Sequence, residues 1–227
     1  MRAAGANALI VALDTSDPDA AEALAKDLSG TAGLLKVGLE LFTAGGPEAA
    51  ARVREHGALF LDLKLHDIPN TVGRAARNAG RLGPALLTVH SLGGPAMVEA
   101  AVHGSATGAE EAGFDPPAVI AVTMLSSIGG ESLASPASLA FEAVSAGASG
   151  VVVSGDDVRT VREVLGDDPI VVVPGVRPAG AGANDHVRVL TPLEAISSGA
   201  DHVVVGRPIT EAPDPAAAAR AVLLELG

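Results

Sequence analysis

The sequence predicts an α/β protein built as a single (β/α)8 TIM barrel over residues 1–227. Three observations predict it. Eight short Val/Ile/Leu-rich runs recur along the chain, Ala-, Glu- and Leu-rich helical segments alternate with them, and the spacing is roughly even. Near-continuous apolar runs are what parallel strands covered on both faces require, since neither face meets water. A doubly wound open sheet is the runner-up, but it does not ordinarily need eight such units.

The first strand is expected at Leu9–Asp14, entered directly from Met1–Asn7 without a signal-peptide core. A helix over Pro18–Leu28 follows, with proline in its first turn, where a missing N–H has no intrahelical partner to lose. Strand two is Leu34–Gly38 with a helix at Pro47–His56, and strand three is Ala58–Lys64 with a helix at Pro69–Leu82. Strand four is Ala85–His90, followed by a helix at Pro95–Gly104. The remaining strands are Ala118–Met124, Gly150–Ser154, Ile170–Pro174 and His202–Gly206. No linker, charge block or low-complexity tract divides the chain. Gly175–Asn184, rich in Gly, Pro and Ala, is expected to be a mobile loop.

Composition narrows the function. The absence of cysteine excludes disulfides, thiolate nucleophiles and zinc–thiolate sites. A net charge of −12 argues against general nucleic-acid or anionic-membrane binding, though a local pocket can still hold a small anion. Trp and Tyr are absent, so base stacking on an aromatic platform is not expected. No apolar run reaches membrane-spanning length, and the protein is read as soluble and cytoplasmic.

The chemistry concentrates in Phe60-Leu-Asp-Leu-Lys-Leu-His-Asp-Ile-Pro-Asn-Thr71. By strand alternation Leu61, Leu63 and Leu65 share one face, while Asp62 and Lys64 project from the other. Asp67 lies just past the strand. Two carboxylates and an ammonium held this close are costly unless they are paired or working. A lone Asp-x-Lys reads as a structural ion pair; with Asp67, and Lys36 from another strand, the catalytic reading is preferred.

Working residues in such barrels lie at the C-terminal ends of the strands. Those ends carry Asp14, Lys36, Asp62 with Lys64, His90, Ser126, Pro174-Gly175 and Gly206-Arg207. Each has a structural reading singly: Asp14 and Ser126 as caps, His90 as a core histidine, Arg207 as a surface cation. Together they alternate in charge, with a cation beside a glycine after strand eight, where this fold usually grips phosphate. There Gly206 would let backbone N–H groups approach an anion and Arg207 would add a charge-assisted fork.

Val11-Ala-Leu-Asp14, Lys36-Val-Gly38, the Phe60–Thr71 run, Ala121-Val-Thr123, Pro174-Gly-Val-Arg177 and Val205-Gly-Arg207 resemble the orotidine 5′-monophosphate decarboxylases, in that family's order. The resemblance covers essentially the whole chain. It implies a cofactor-free, metal-free enzyme of pyrimidine synthesis that converts orotidine 5′-monophosphate to uridine 5′-monophosphate and carbon dioxide. It assigns Lys64 as proton donor to C6, within a charge network of Lys36, Asp62, Lys64 and Asp67. It implies a homodimer with shared active sites, to which the partner subunit contributes Asp67 and Thr71. Asp14 and Lys36 would hold the ribose, Ser126 the pyrimidine, and Arg177, Gly206 and Arg207 the phosphate.

The sequence departs from the family at Ala183-Asn-Asp-His186, where members commonly carry Gln in a loop that spans the phosphate and the pyrimidine-binding serine. His186 can donate a hydrogen bond in that role or point to solvent. Two other readings stand beside the decarboxylase. Metal-dependent sugar-phosphate decarboxylases or synthases on the same barrel resemble the chain at Asp62 and Lys64, but place a metal-binding acid where this chain has Lys36. A nucleotide-binding protein without catalysis would leave the charge network unexplained.

Overall fold

Eight parallel strands follow one another in chain order around a closed barrel in the computed structural model, which describes residues 5–123, 135–178 and 190–226. They are β1 (Leu9–Ala12), β2 (Leu34–Gly38), β3 (Leu59–Leu65), β4 (Leu86–His90), β5 (Ala118–Val122), β6 (Gly150–Val152), β7 (Ile170–Pro174) and β8 (His202–Val205). The helices are α1 (Pro18–Asp27), α2 (Leu39–Arg54), α3 (Pro69–Gly80), α4 (Pro95–Ala112), α5 (Pro136–Ser145), α6 (Val158–Leu165), α7 (Pro192–Ser198), α8 (Arg207–Thr210) and α9 (Pro215–Leu226). The closed order replaces the open-sheet alternative. Strands β1, β6 and β8 end one or two residues before their expected limits, where ladder pairing gives way to loops, and β5 spans Ala118–Val122, its expected limit Met124 lying outside the described residues. A 3-10 turn at Gly5–Ala8 stands before β1, where direct entry was expected. Among the described residues no helix is long and apolar enough to cross a membrane.

Contacts divide the chain into two compact units. The first combines Met1–Leu59 with Val172–Gly227. Here β1 pairs with β2 on one side and β8 on the other, so Ile10 lies opposite both Leu34 and Val204. Leu9, Ile10, Val11, Leu35, Val37 and Val203 are fully or nearly fully buried, as their unbroken apolar runs require. Asp17 caps α1 by accepting from the backbone N–H groups of Asp19 and Ala20. Helix α2 holds a break at Gly46, whose φ of 62 only glycine adopts without penalty. The expected helix opened by Pro47 is thus the second part of α2, and its first part begins directly after β2.

The second unit is Phe60–Val171. Its strands run β3–β4–β5–β6, and at their ends hydroxyls tie neighbouring strands together. Ser91 Oγ donates to the Val122 carbonyl at 2.9 Å, and Thr123 Oγ1 to that of Val152 at 3.1 Å. Helices α3 and α4 pack backbone to backbone. An added Cβ at Gly80 would collide with the Ser105 carbonyl, at Gly104 with Gly73, and at Gly108 with the Arg77 carbonyl. The expected helix end at Gly104 is therefore a correction: that glycine is a contact point, and α4 continues to Ala112. Its true stop is Gly113, a left-handed cap at φ 78. Arg77 on α3 and Arg81 just past its end both donate to Glu111 on α4, Arg81 Nη2 at 2.7 Å. The two guanidinium groups hold the Glu111 carboxyl well below its usual range, at about 2.

Candidate active site

Strand β3 delivers the charged groups of the second unit through a distortion. Leu61 lies opposite Leu87 and Leu65 opposite Val89, so four steps along β3 match two along β4. The extra residues bulge out of the ladder, and Lys64 sits at φ 49. Among the described residues it is the one non-glycine residue at positive φ. The register shift interrupts the ladder within the expected Asp62/Lys64 alternation, and the two side chains meet as expected. Lys64 Nζ donates to both oxygens of Asp62 at 2.8 Å. Asp62 is buried and the Lys64 side chain is about one-third exposed, so the ammonium bridges a buried carboxylate and the outside.

Thr88, which sequence reasoning missed, completes this cluster. It is fully buried on β4, accepts from the Lys64 backbone N–H at 2.9 Å and donates to Asp62 Oδ1 at 2.9 Å. Its signal was available: Leu-Leu-Thr-Val-His places Thr88 and His90 two apart in an otherwise apolar strand, and a buried polar group asks for a partner. His90 is buried, stacked on His66 with ring centroids 5.2 Å apart, and its Nδ1 accepts from the Leu92 N–H at 3.4 Å. Burial, then the neighbouring His66 and Lys64, push the His90 imidazolium below its usual range. An Nδ1 that accepts is the arrangement of a neutral ring that carries its proton on Nε2.

Asp67 and Thr71 stay out of this cluster. Asp67 is exposed just past β3, and its Oδ1 accepts from the Ile68 N–H at 2.6 Å. Among the described residues its carboxylate reaches no cation, Lys64 of its own chain included. Thr71 is exposed in the first turn of α3, beside Ile68, a large apolar side chain left 65% exposed.

In the first unit, Lys36 Nζ donates to Asp14 Oδ1 at 2.9 Å. Lys36 is buried, so this partner offsets part of the cost of taking an ammonium out of water. Gly38 makes room for the pair: a Cβ there would lie 2.9 Å from Lys36 Nζ and 3.1 Å from Asp14 Oδ1. The sequence marked Gly38 as a strand end and as part of the Lys36-Val-Gly38 motif, with no role of its own. Arg177 is half-buried after β7, its N–H donating to the Leu190 carbonyl at 3.1 Å. Gly206 caps α8, accepting from the N–H groups of Ile209 and Thr210, and exposed Arg207 opens that helix. Ser126 and His186 lie outside the described residues, as does most of the expected Gly175–Asn184 loop.

A family model described as orotidine 5′-phosphate decarboxylase / HUMPS matches residues 7–222. The chain belongs to this family. An orotidine 5′-phosphate decarboxylase of Anaeromyxobacter sp. (strain K) is 51% identical to it over 225 residues, covering 94% of this chain and 96% of the relative. One from Moorella thermoacetica is 48% identical, covering 96% and 91% respectively. The crystal structure of orotidine 5′-phosphate decarboxylase from Lactobacillus acidophilus matches with a TM-score of 0.83 at 37% identity, over the full length of both chains. The protein is thus an enzyme of the orotidine 5′-phosphate decarboxylase family, with that family's (β/α)8 barrel.

Proposed function

We propose that this protein decarboxylates orotidine 5′-monophosphate to uridine 5′-monophosphate and carbon dioxide without a cofactor, as a cytoplasmic, single-domain, homodimeric enzyme of pyrimidine synthesis. The observation that carries the reading is Lys64, held left-handed at φ 49 with its ammonium 2.8 Å from both Asp62 oxygens. In the reaction the C6–carboxylate bond breaks, carbon dioxide leaves, and the electron pair stays at C6. The ammonium of Lys64 stabilises that charge and transfers a proton from Nζ to form the C6–H bond; solvent then restores the ammonium. Asp62, beside the departing carboxylate, favours its loss by like-charge repulsion.

Lys36 and Asp14 hold the ribose, with Thr71 of a second copy, and Asp67 of that copy completes the charge network. The exposed Asp67, which pairs with no cation of its own chain among the described residues, supports that assignment. Ser126 contacts the pyrimidine, and Arg177, Gly206 and Arg207 take the phosphate, with His186 in the loop position commonly filled by Gln. Binding energy from the remote phosphate is then available to favour the transition state.

Mixing purified protein with orotidine 5′-monophosphate and a chelator tests the reading. The orotidine absorbance should disappear at the same rate with and without chelator. Persistent absorbance despite nucleotide binding would identify a non-catalytic binder, and loss of turnover only with chelator would favour the metal-dependent sugar-phosphate group.

A further inference from the structure

We infer that Thr88 is a positioning residue that sets the reactive geometry of Lys64 and Asp62 together. The inference rests on the proposed decarboxylation for its kinetic test, but its geometry stands by itself. A bulged strand holding a non-glycine residue at positive φ needs something to stabilise it, since L side chains rarely adopt that conformation. Strand β3 has left its ladder there: between Leu61 opposite Leu87 and Leu65 opposite Val89, its backbone is out of register with β4. The Lys64 N–H takes the Thr88 hydroxyl as its acceptor instead, at 2.9 Å. That hydroxyl spends its single proton on Asp62 Oδ1 at 2.9 Å, the oxygen that Lys64 Nζ also meets at 2.8 Å. One buried oxygen thus closes a ring through the backbone of Lys64, its ammonium and the Asp62 carboxylate.

The geometry has a chemical consequence. The hydroxyl fixes which way the carboxylate presents its oxygens, and so where the ammonium rests before it meets a substrate. It also leaves no buried donor unmatched, since Thr88 has no exposed surface and water cannot substitute. Valine has nearly the same shape but neither accepts nor donates; serine keeps the hydroxyl and loses only a methyl group.

The test compares Thr88→Val with Thr88→Ser for turnover, KM and binding of uridine 5′-monophosphate. Thr88→Val should lose about 10- to 100-fold in kcat, the scale of a hydrogen bond to a charged group. KM and product affinity should change little, and Thr88→Ser should retain kcat within a few-fold. A folded Thr88→Val enzyme with unchanged kcat overturns the inference, as does a Thr88→Ser enzyme as impaired as Thr88→Val. If Thr88→Val does not fold, Thr88→Ala takes its place under the same criteria. Amide hydrogen exchange on the wild-type protein supplies a readout independent of activity. The Lys64 N–H should exchange as slowly as the core amides of β4; rapid exchange would show that the Thr88 bond is not held. If the wild-type protein binds nucleotide and protects this amide yet turns nothing over, the decarboxylase reading fails while the positioning geometry stands.

Discussion

At Lys64 the backbone turns left-handed, and three hydrogen bonds from one residue converge on Asp62 and Thr88. A lysine free to sweep solvent would spread its ammonium over many rotamers; this one is restricted to the neighbourhood of a buried carboxylate. Arg207 gives the matching prediction for the phosphate. Arg207→Ala should weaken uridine 5′-monophosphate binding by at least about tenfold, the scale of one charge-assisted hydrogen bond. Binding of uridine, which lacks the anion, should hardly change. Calorimetric titration of both ligands checks it, and equal losses for both would remove Arg207 from the phosphate site. At this scale the sequence showed which residues carry charge but not how they are held. Asp62 and Lys64 were legible from their spacing. The register shift and the positive φ at Lys64 were not, because nothing in the alternation of Leu-Asp-Leu-Lys-Leu marks an interruption of the ladder. Thr88 left a trace only as a polar residue in an apolar strand, without naming its partner, and Gly38 acts through empty space, which leaves no periodic trace.

Among the elements, the packing of α3 on α4 fixes the helix that starts directly after the charged strand. Four glycines share the contact, and the Arg77–Glu111–Arg81 clamp fastens its edge. Gly108→Ala sets two effects against each other. Helix propensity favours alanine by about 1 kcal/mol, whereas the new methyl would strike the Arg77 backbone, which cannot swing aside as a flexible side chain can. Overpacking of this kind costs about 1–3 kcal/mol, so the expected outcome is net destabilisation, read as a lower denaturant midpoint with unchanged slope. A midpoint raised by the substitution would mean that the helices are not in backbone contact. The strands were legible because continuous apolar runs have little else to become. Helix ends were less so, since a glycine that stops a helix and a glycine that admits a neighbouring backbone look alike in sequence. Gly104 proved to be the second kind and Gly113 the first.

For the whole molecule, the net charge of −12 sits beside a site proposed to bind an anionic nucleotide, so local cations must oppose the overall field. The proposed enzyme also needs a second copy of itself. Asp67, Ile68 and Thr71 are exposed at the mouth of α3, with an acid that reaches no cation among the described residues of its own chain. If Lys64 of one chain works with Asp67 of another, Lys64→Ala and Asp67→Asn homodimers should both be nearly inactive. In a mixed dimer one site carries both lesions and the other carries neither. Random reassortment makes half the dimers mixed, so about a quarter of all sites should be restored under two-fold symmetry. The decisive measurement is decarboxylase activity after the two variants are unfolded and refolded together. Recovery near a quarter of the wild-type value is the predicted result; mixed dimers that form but stay as inactive as their parents would contradict it.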